Sequence, residues 1–264
     1  MTADELANTA VLIPARLASS RLPDKPLAEI GGVPMIVQVW RRAMEADIGP
    51  VVVAAGDQAI ADAVTAHGGE AVMTDPDLPS GSDRITAALA EIDPGRRFQR
   101  VVNLQGDLPT IDPALLKAVL RPLDELDADI ATLAVATKDP AERDDPNVVK
   151  AIIAFESSGG SLCESAGRPT GDPAADLGRA LYFTRATAPS GPGPVYHHIG
   201  IYAYQREALE RFAALRPSPL ERRERLEQLR ALEHGMTVGV VRVDTVPLGV
   251  DTPDQLDEAR RFLA

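Results

Sequence analysis

The residues with the clearest chemical potential lie together near the N-terminus. An apolar run at 11–13 empties into a loop carrying Pro14, Ala15, Arg16, Ser19, Ser20, Arg21, Pro23, Lys25 and Pro26. A loop at the end of the first strand of an open α/β sheet is where ligands bind. Arg grips phosphate oxygens bidentately and Lys delivers a compact positive charge, so this loop suits an anionic ligand, with a nucleoside triphosphate the natural candidate. Isolated Arg and Lys are usually solvated surface charges, so the reading rests on the whole constellation. Neither G-x-x-x-x-G-K-[ST] nor a post-strand G-x-G-x-x-G occurs, which leaves side chains to do the work of a glycine nest.

Four distant loops are candidates to join the first. Residues 80–84, Ser-Gly-Ser-Asp-Arg, put hydroxyls and Arg84 at an expected helix start, where backbone N–H groups favour anions; Ser82 or Asp83 as a plain cap explains the same pattern. Asp107 ends the run Asn103, Leu104, Gln105, Gly106, and it suits Mg²⁺, which takes one or two carboxylates plus phosphate oxygens and water; the alternative is a Gly-Asp turn. Thr252, Pro253 and Gln255 read as a capping box that leaves Asp251 unaccounted for. Two acids from separate loops plus a basic loop fit metal-assisted nucleotidyl transfer. His197 and His198 open a strand, where neighbours point to opposite faces, so a zinc pair is disfavoured and one His lining a polar pocket is preferred; a structurally satisfied His is the default. Residues 217–230 read as a charged amphipathic helix, mostly a solvated face, on which Glu224 and Gln228 share a side.

Composition bounds the rest. With 264 residues and 45% hydrophobic content the chain can bury a large core, and a net charge of −12 argues against nucleic-acid or anionic-membrane surfaces. Cys163 is the single cysteine, which excludes an intrachain disulfide and a cysteine metal cluster and suits a reducing compartment. The acidic N-terminus lacks signal-peptide character and no apolar run approaches a membrane span, so the expected location is the cytoplasm.

The elements that must position these residues alternate. Strands are expected at 11–13, 51–55, 71–73, 101–104 and 130–136, with helices at 34–46, 58–67, 84–91 and 113–126 between them. This rhythm predicts an α/β fold with a mostly parallel twisted sheet and helices on both faces. Apolar stretches at 148–155 and 181–183 interrupt a Pro-, Gly- and Ser-rich region, within which 157–178 is expected to be a mobile loop. Strands at 199–204 and 238–243 and helices at 206–215, 220–233 and 252–263 complete the chain.

Taken together, residues 13–16, 21–27, 103–107, 198–202, 217–230 and 249–253 resemble the 3-deoxy-manno-octulosonate cytidylyltransferases, or CMP-Kdo synthetases, over nearly the whole chain. The resemblance implies a Rossmann-like fold in a single domain: a nucleotide-binding core at 9–136, a smaller sugar-binding and dimerisation region at 137–247, and a C-terminal helix at 248–264 returning to the core. It implies transfer of CMP from CTP to the anomeric hydroxyl of 3-deoxy-D-manno-octulosonate (Kdo) with Mg²⁺, for lipopolysaccharide biosynthesis, by a homodimer. Carried over by position, Arg16, Ser19, Arg21 and Lys25 would hold the triphosphate, with Pro14, Ala15, Ser82 and Gln105 also on the nucleotide. Arg16, Lys25 and Asp107 would be catalytic, and Asp107 and Asp251 would ligate magnesium. Arg84, Gln105, His198, Tyr202, Glu224 and Gln228 would surround the sugar. Three departures stand out: Asp24 where the loop commonly has Gly, Leu108 in place of the Glu that usually follows the metal Asp, and a longer segment at 157–178. The competing readings are a cytidylyltransferase for another acidic sugar, such as sialic acid or 8-amino-Kdo, and a non-catalytic nucleotide-binding regulator.

Overall fold

In the computed structural model, which describes residues 8–18, 22–155 and 176–263, the chain forms two units. One runs to Lys117 and resumes at Pro247; the other is Ala118–Val246.

The first unit is built on four parallel strands. Strand β1 (Thr9–Ala15) is flanked by β4 (Val51–Ala55) and β6 (Arg100–Asn103), and β5 (Glu70–Met73) lies outside β4. Parallel strands covered on both faces read as unbroken apolar runs, as in the fully buried Val-Val-Val-Ala-Ala of β4. The chain steps from β1 to β4 to β5 on one side, then crosses to β6 on the other, so the strand order reverses beside β1. Crossovers run through α1 (Met35–Glu45), α2 (Gln58–Ala66) and α3 (Gly81–Ile92). Between β1 and α1 lie a 3₁₀ turn (Lys25–Leu27) and a two-residue hairpin, β2 (Glu29–Ile30) with β3 (Val33–Pro34), which the sequence reading did not anticipate. Its turn places Gly31 at φ 62° and Gly32 at φ 76°, the left-handed pair that a type I′ turn requires. The C-terminal helix α10 (Pro253–Phe262) closes the unit: Val250, Leu256 and Ala259 pack with Ile30 and Met35.

The second unit has a mixed sheet. Strand β7 (Ile130–Thr137) pairs antiparallel with β10 (Val195–Gln205) and parallel with β11 (Val238–Val243). Next come β9 (Leu177–Thr184) and β8 (Lys150–Phe155), both antiparallel, and β8 pairs back to β10 at Lys150–His197, so the five strands close on themselves. The second unit begins at Ala118, ahead of β7, whose two partners both belong to it. Lys150 is wholly buried, its ammonium donating to the carbonyls of Asp145, Val148 and Arg185 at 2.6, 2.9 and 3.2 Å.

Two expected helices are each broken. Residues 113–126 form α4 (Pro113–Ala118) and α5 (Arg121–Glu125), because Pro122 at the start of α5 lacks the N–H a continuous helix would use. Residues 220–233 form α8 (Pro219–Glu224) and α9 (Leu229–Glu233), following α6 (Pro140–Asp144) and α7 (Arg206–Ala214) in chain order. Arg225 between them adopts φ 57°, and Arg230 of α9 folds back onto Glu221 of α8 at 2.8 and 2.6 Å. Residues 156–175, most of the segment expected to be a mobile loop, lie outside the described residues, as does Cys163. None of the described helices is long and apolar enough to cross a membrane.

Candidate active site

The reversal of strand order beside β1 leaves a crevice at the carboxyl ends of β1 and β6, the place where open α/β sheets bind ligands. A cleft of about 300 Å³ sits there. Pro14, Ala15, Arg16 and Lys25 line it from the loop after β1; Ser80, Gly81 and Arg84 from the start of α3; Gln105, Gly106 and Asp107 from the loop after β6. Gly106 permits the two strand-end loops to approach: a Cβ there would sit 3.1 Å from the Pro14 carbonyl oxygen.

Lys25 is the centre of charge. Its Nζ donates to Asp107 Oδ2 at 2.9 Å and to Asp251 Oδ1 at 2.8 Å, joining residues 82 and 226 positions away in the chain. Burial would lower the ammonium's pKa, but the two carboxylates outweigh it and hold the value above that of an ordinary lysine. Several contacts aim these groups. The Val250 N–H donates to the Asp107 carbonyl at 2.9 Å, and Gln255 Oε1 accepts from the Asp251 and Thr252 N–H groups at 2.9 and 3.1 Å. Thr252 and Gln255 form the expected capping box, which thereby orients the backbone of Asp251. Two carboxylates that converge on a single cation from separate loops are the donor set that Mg²⁺ accepts alongside phosphate oxygens, so these residues fit that ion.

The departures at 24 and 108 acquire physical reasons. Asp24 sits at φ 51°, left-handed backbone that glycine enters freely and Asp tolerates better than most residues. Its side chain is exposed and does not line the cleft. Leu108 is turned inward and buried, within van der Waals reach of a Cβ built on Gly249.

The start of α3 differs from expectation. The helix begins at Gly81, and Ser80 caps it by accepting from the Asp83 N–H at 3.1 Å, so Ser82 lies inside the first turn, buried, with its Oγ 2.9 Å from that of Ser80. Arg84 lines the cleft, but its guanidinium donates to Thr74 Oγ1 at 2.6 Å and to the carbonyls of Asp75 and Pro76 at 3.0 and 3.2 Å. Burial first, then the charge of Arg16, lowers its pKa. Gln105 also lines the cleft, its amide 3.4 Å from Asn103 Oδ1. Ser19 and Arg21 lie outside the described residues. Sequence reasoning missed Asp57, whose carboxylate accepts the Leu17 N–H at 2.8 Å and pins the basic loop; its position just before α2 was the available signal.

The second unit gathers the other expected residues. His197 and His198 point to opposite faces, as strand geometry requires: His197 Nδ1 is 3.2 Å from Glu142, and His198 Nε2 is 3.0 Å from Thr132 Oγ1. His198 sits among aromatic rings rather than in a polar pocket, with Phe183 edge-on at 4.9 Å and Tyr202 at 5.5 Å between centroids. Glu224 accepts from Thr184 Oγ1 at 3.0 Å and the Arg185 N–H at 3.1 Å, and lies 3.4 Å from the Tyr182 hydroxyl. Glu224 ends α8 and Gln228, buried, precedes α9, so they do not share one helical face.

Burial, then the neighbouring His197, pushes the His198 pKa from 6.5 down to about 3. The folded state therefore binds fewer protons than the unfolded one below pH 6.5, so stability is complete above 6.5 and drains as pH falls towards 3. Between pH 6.5 and 4.5 this group alone should cost about 2 kcal/mol. Urea unfolding at the two pH values should show wild type losing that much more than His198→Gln; equal losses would contradict a neutral buried imidazole.

Known proteins resemble this chain along almost its whole length. A family model described as cytidylyltransferase matches residues 10–238. The 3-deoxy-manno-octulosonate cytidylyltransferase of Parvibaculum lavamentivorans is 60% identical over 99% of this chain and 95% of its own, and that of Mesorhizobium japonicum is 58% identical over 97% and 99%. A solved CMP:2-keto-3-deoxy-manno-octonic acid synthetase complexed with CTP superposes with a TM-score of 0.83 at 34% identity, covering 97% of this chain and 98% of that one. With identity of this level extending along almost its entire length, the chain belongs to the 3-deoxy-manno-octulosonate cytidylyltransferase family.

Proposed function

We propose that the protein transfers CMP from CTP to the anomeric hydroxyl of Kdo, giving CMP-Kdo and pyrophosphate for lipopolysaccharide biosynthesis. The observation that carries this is the convergence of Lys25, Asp107 and Asp251 beside the cleft at the strand-order reversal. The sugar hydroxyl attacks the α-phosphorus in line and the bond to pyrophosphate breaks. Arg16, Ser19, Arg21 and Lys25 hold the triphosphate, with Pro14, Ala15, Ser82 and Gln105 around the nucleotide. Negative charge grows on the leaving pyrophosphate, so Arg16 and Lys25 stabilise the transition state more than the ground state. Asp107 and Asp251 would hold Mg²⁺, which supplies further charge neutralisation at the phosphates. Arg84, Gln105, His198, Tyr202, Glu224 and Gln228 receive the sugar acid. A homodimer working in the cytoplasm belongs to the same proposal.

The test is to mix the protein with CTP, Mg²⁺ and Kdo and to follow CMP-Kdo and pyrophosphate. CMP-Kdo formation that outpaces any product from sialic acid or 8-amino-Kdo is the expected result. Faster turnover of either other sugar would move the substrate assignment, and no Mg²⁺-dependent consumption of CTP with any of them would overturn the reaction.

A further inference from the structure

The pairing of β10 with β7 slips between Ile199, opposite Leu133, and Tyr202, opposite Thr132, so Gly200 and Ile201 are extra residues in the ladder. An irregularity of this kind turns carbonyls away from their ladder donors, and buried carbonyls need partners. Thr132 provides one. Its Oγ1 lies 3.0 Å from the Ile199 carbonyl oxygen and 2.8 Å from that of Ile201, and the residue is wholly buried. The third neighbour of that oxygen is His198 Nε2 at 3.0 Å.

A hydroxyl has one proton and two lone pairs, and a carbonyl oxygen can only accept. Directed at the two carbonyls, the Thr132 proton is not free for the imidazole. Oγ1 therefore meets Nε2 with a lone pair, and Nε2 must carry the hydrogen. In a neutral ring that leaves Nδ1 bare, and Nδ1 has no hydrogen-bond partner among the described residues. The low pKa of the buried ring keeps it neutral at working pH. Phe183 and Tyr202 flank the ring and restrict its rotation.

We propose that Thr132 is a positioning residue for the sugar site: by committing its proton to the Ile199 and Ile201 carbonyls it fixes His198 as the Nε2–H tautomer and presents Nδ1 as an acceptor to a sugar hydroxyl. The proposal rests on the reading that His198 receives the sugar. It requires the ligand to donate to His198, so a hydroxyl is recognised there and an ether or carbonyl oxygen is not.

Nitrogen-15 NMR of histidine-labelled protein tests the tautomer directly. In wild type, His198 should show a protonated Nε2 and an unprotonated Nδ1; the reverse pattern overturns the proposal without any variant. In Thr132→Val the tautomer should shift or become mixed, and KM for Kdo should rise about tenfold while KM for CTP stays put, the loss of roughly one hydrogen bond. Thr132→Ser, which keeps the hydroxyl, should restore both. An unmoved tautomer in Thr132→Val overturns the positioning role. A shifted tautomer with KM for Kdo unchanged in both Thr132→Val and His198→Ala overturns the proposal by the other route, because the placement of His198 on the sugar is then what has failed.

Discussion

Asp107→Asn should lower kcat by about a hundredfold or more, and Lys25→Ala by a similar factor, while both proteins stay folded. Under the proposed function Lys25 holds the phosphates and Asp107 would hold the cation that neutralises them, and groups of this kind are worth about 3 kcal/mol in the transition state. Asn keeps the shape of Asp and its amide oxygen can still accept from Lys25, but it is neutral, so only Asp251 still pairs the ammonium by charge. Lys25→Ala acts differently, leaving Asp107 and Asp251 facing each other without the ammonium that now lies 2.9 and 2.8 Å from them. Both acids are partly open to solvent, with side chains 32% and 40% exposed, so their repulsion is screened and should cost the fold little. Steady-state kinetics with CTP and Kdo, alongside melting curves, separates lost catalysis from lost structure. Near-normal turnover in both variants would remove this cluster from the reaction.

Glu221→Ala should destabilise the protein by about 3 kcal/mol, the low end of the cost of removing one partner of a buried ion pair, because Glu227 stays 3.7 Å from Arg230. Glu221 and Arg230 are 13% and 8% exposed, bonded at 2.6 and 2.8 Å, and the carboxylate also accepts the Ser218 N–H at 2.9 Å in the capping box of α8. Burial would raise the Glu221 pKa, but Arg230 and the Ser218 N–H hold it below the ordinary value. Its contribution is therefore complete above the unfolded Glu pKa and is lost as pH falls through the folded one. Without Glu221, the Arg230 guanidinium keeps Glu227 at 3.7 Å, the Leu215 carbonyl at 3.3 Å and the Phe212 ring at 5.0 Å but has lost its bidentate partner. Urea unfolding near neutral pH checks the value. Glu221→Leu combined with Arg230→Met should recover much of the loss, since a well-packed apolar pair often replaces a buried ion pair at little cost.

Much of the first unit could be read from the chain because its signals are local. The apolar runs of β1 and β4, the Gly-Gly stop after α2 and the Thr-Pro-x-Gln start of α10 each follow from residues a few positions apart. The basic loop and the two acids were recognisable by residue type, and their meeting through Lys25 follows from strand order, which only the folded chain displays. The second unit was less legible for the same physical reason. Arg225 carries no glycine-like signal for its left-handed backbone; the helix breaks there while Glu221 and Arg230 pair across the break. Thr132 was overlooked inside Ile-Ala-Thr-Leu-Ala-Val-Ala-Thr, although a hydroxyl in the buried part of a strand needs a partner and so marks a place to look. Its partners exist only because β10 slips by two residues opposite it.

The first unit is discontinuous in the chain, since its share resumes at Pro247 after the whole of the second. A ribosome making this protein releases β1, Lys25 and Asp107 long before it reaches Asp251 and the helix that closes over Ile30 and Met35. Nascent chains consequently carry Lys25 and Asp107 without Asp251 throughout synthesis of the second unit, and the three-residue cluster can form only once Asp251 has emerged.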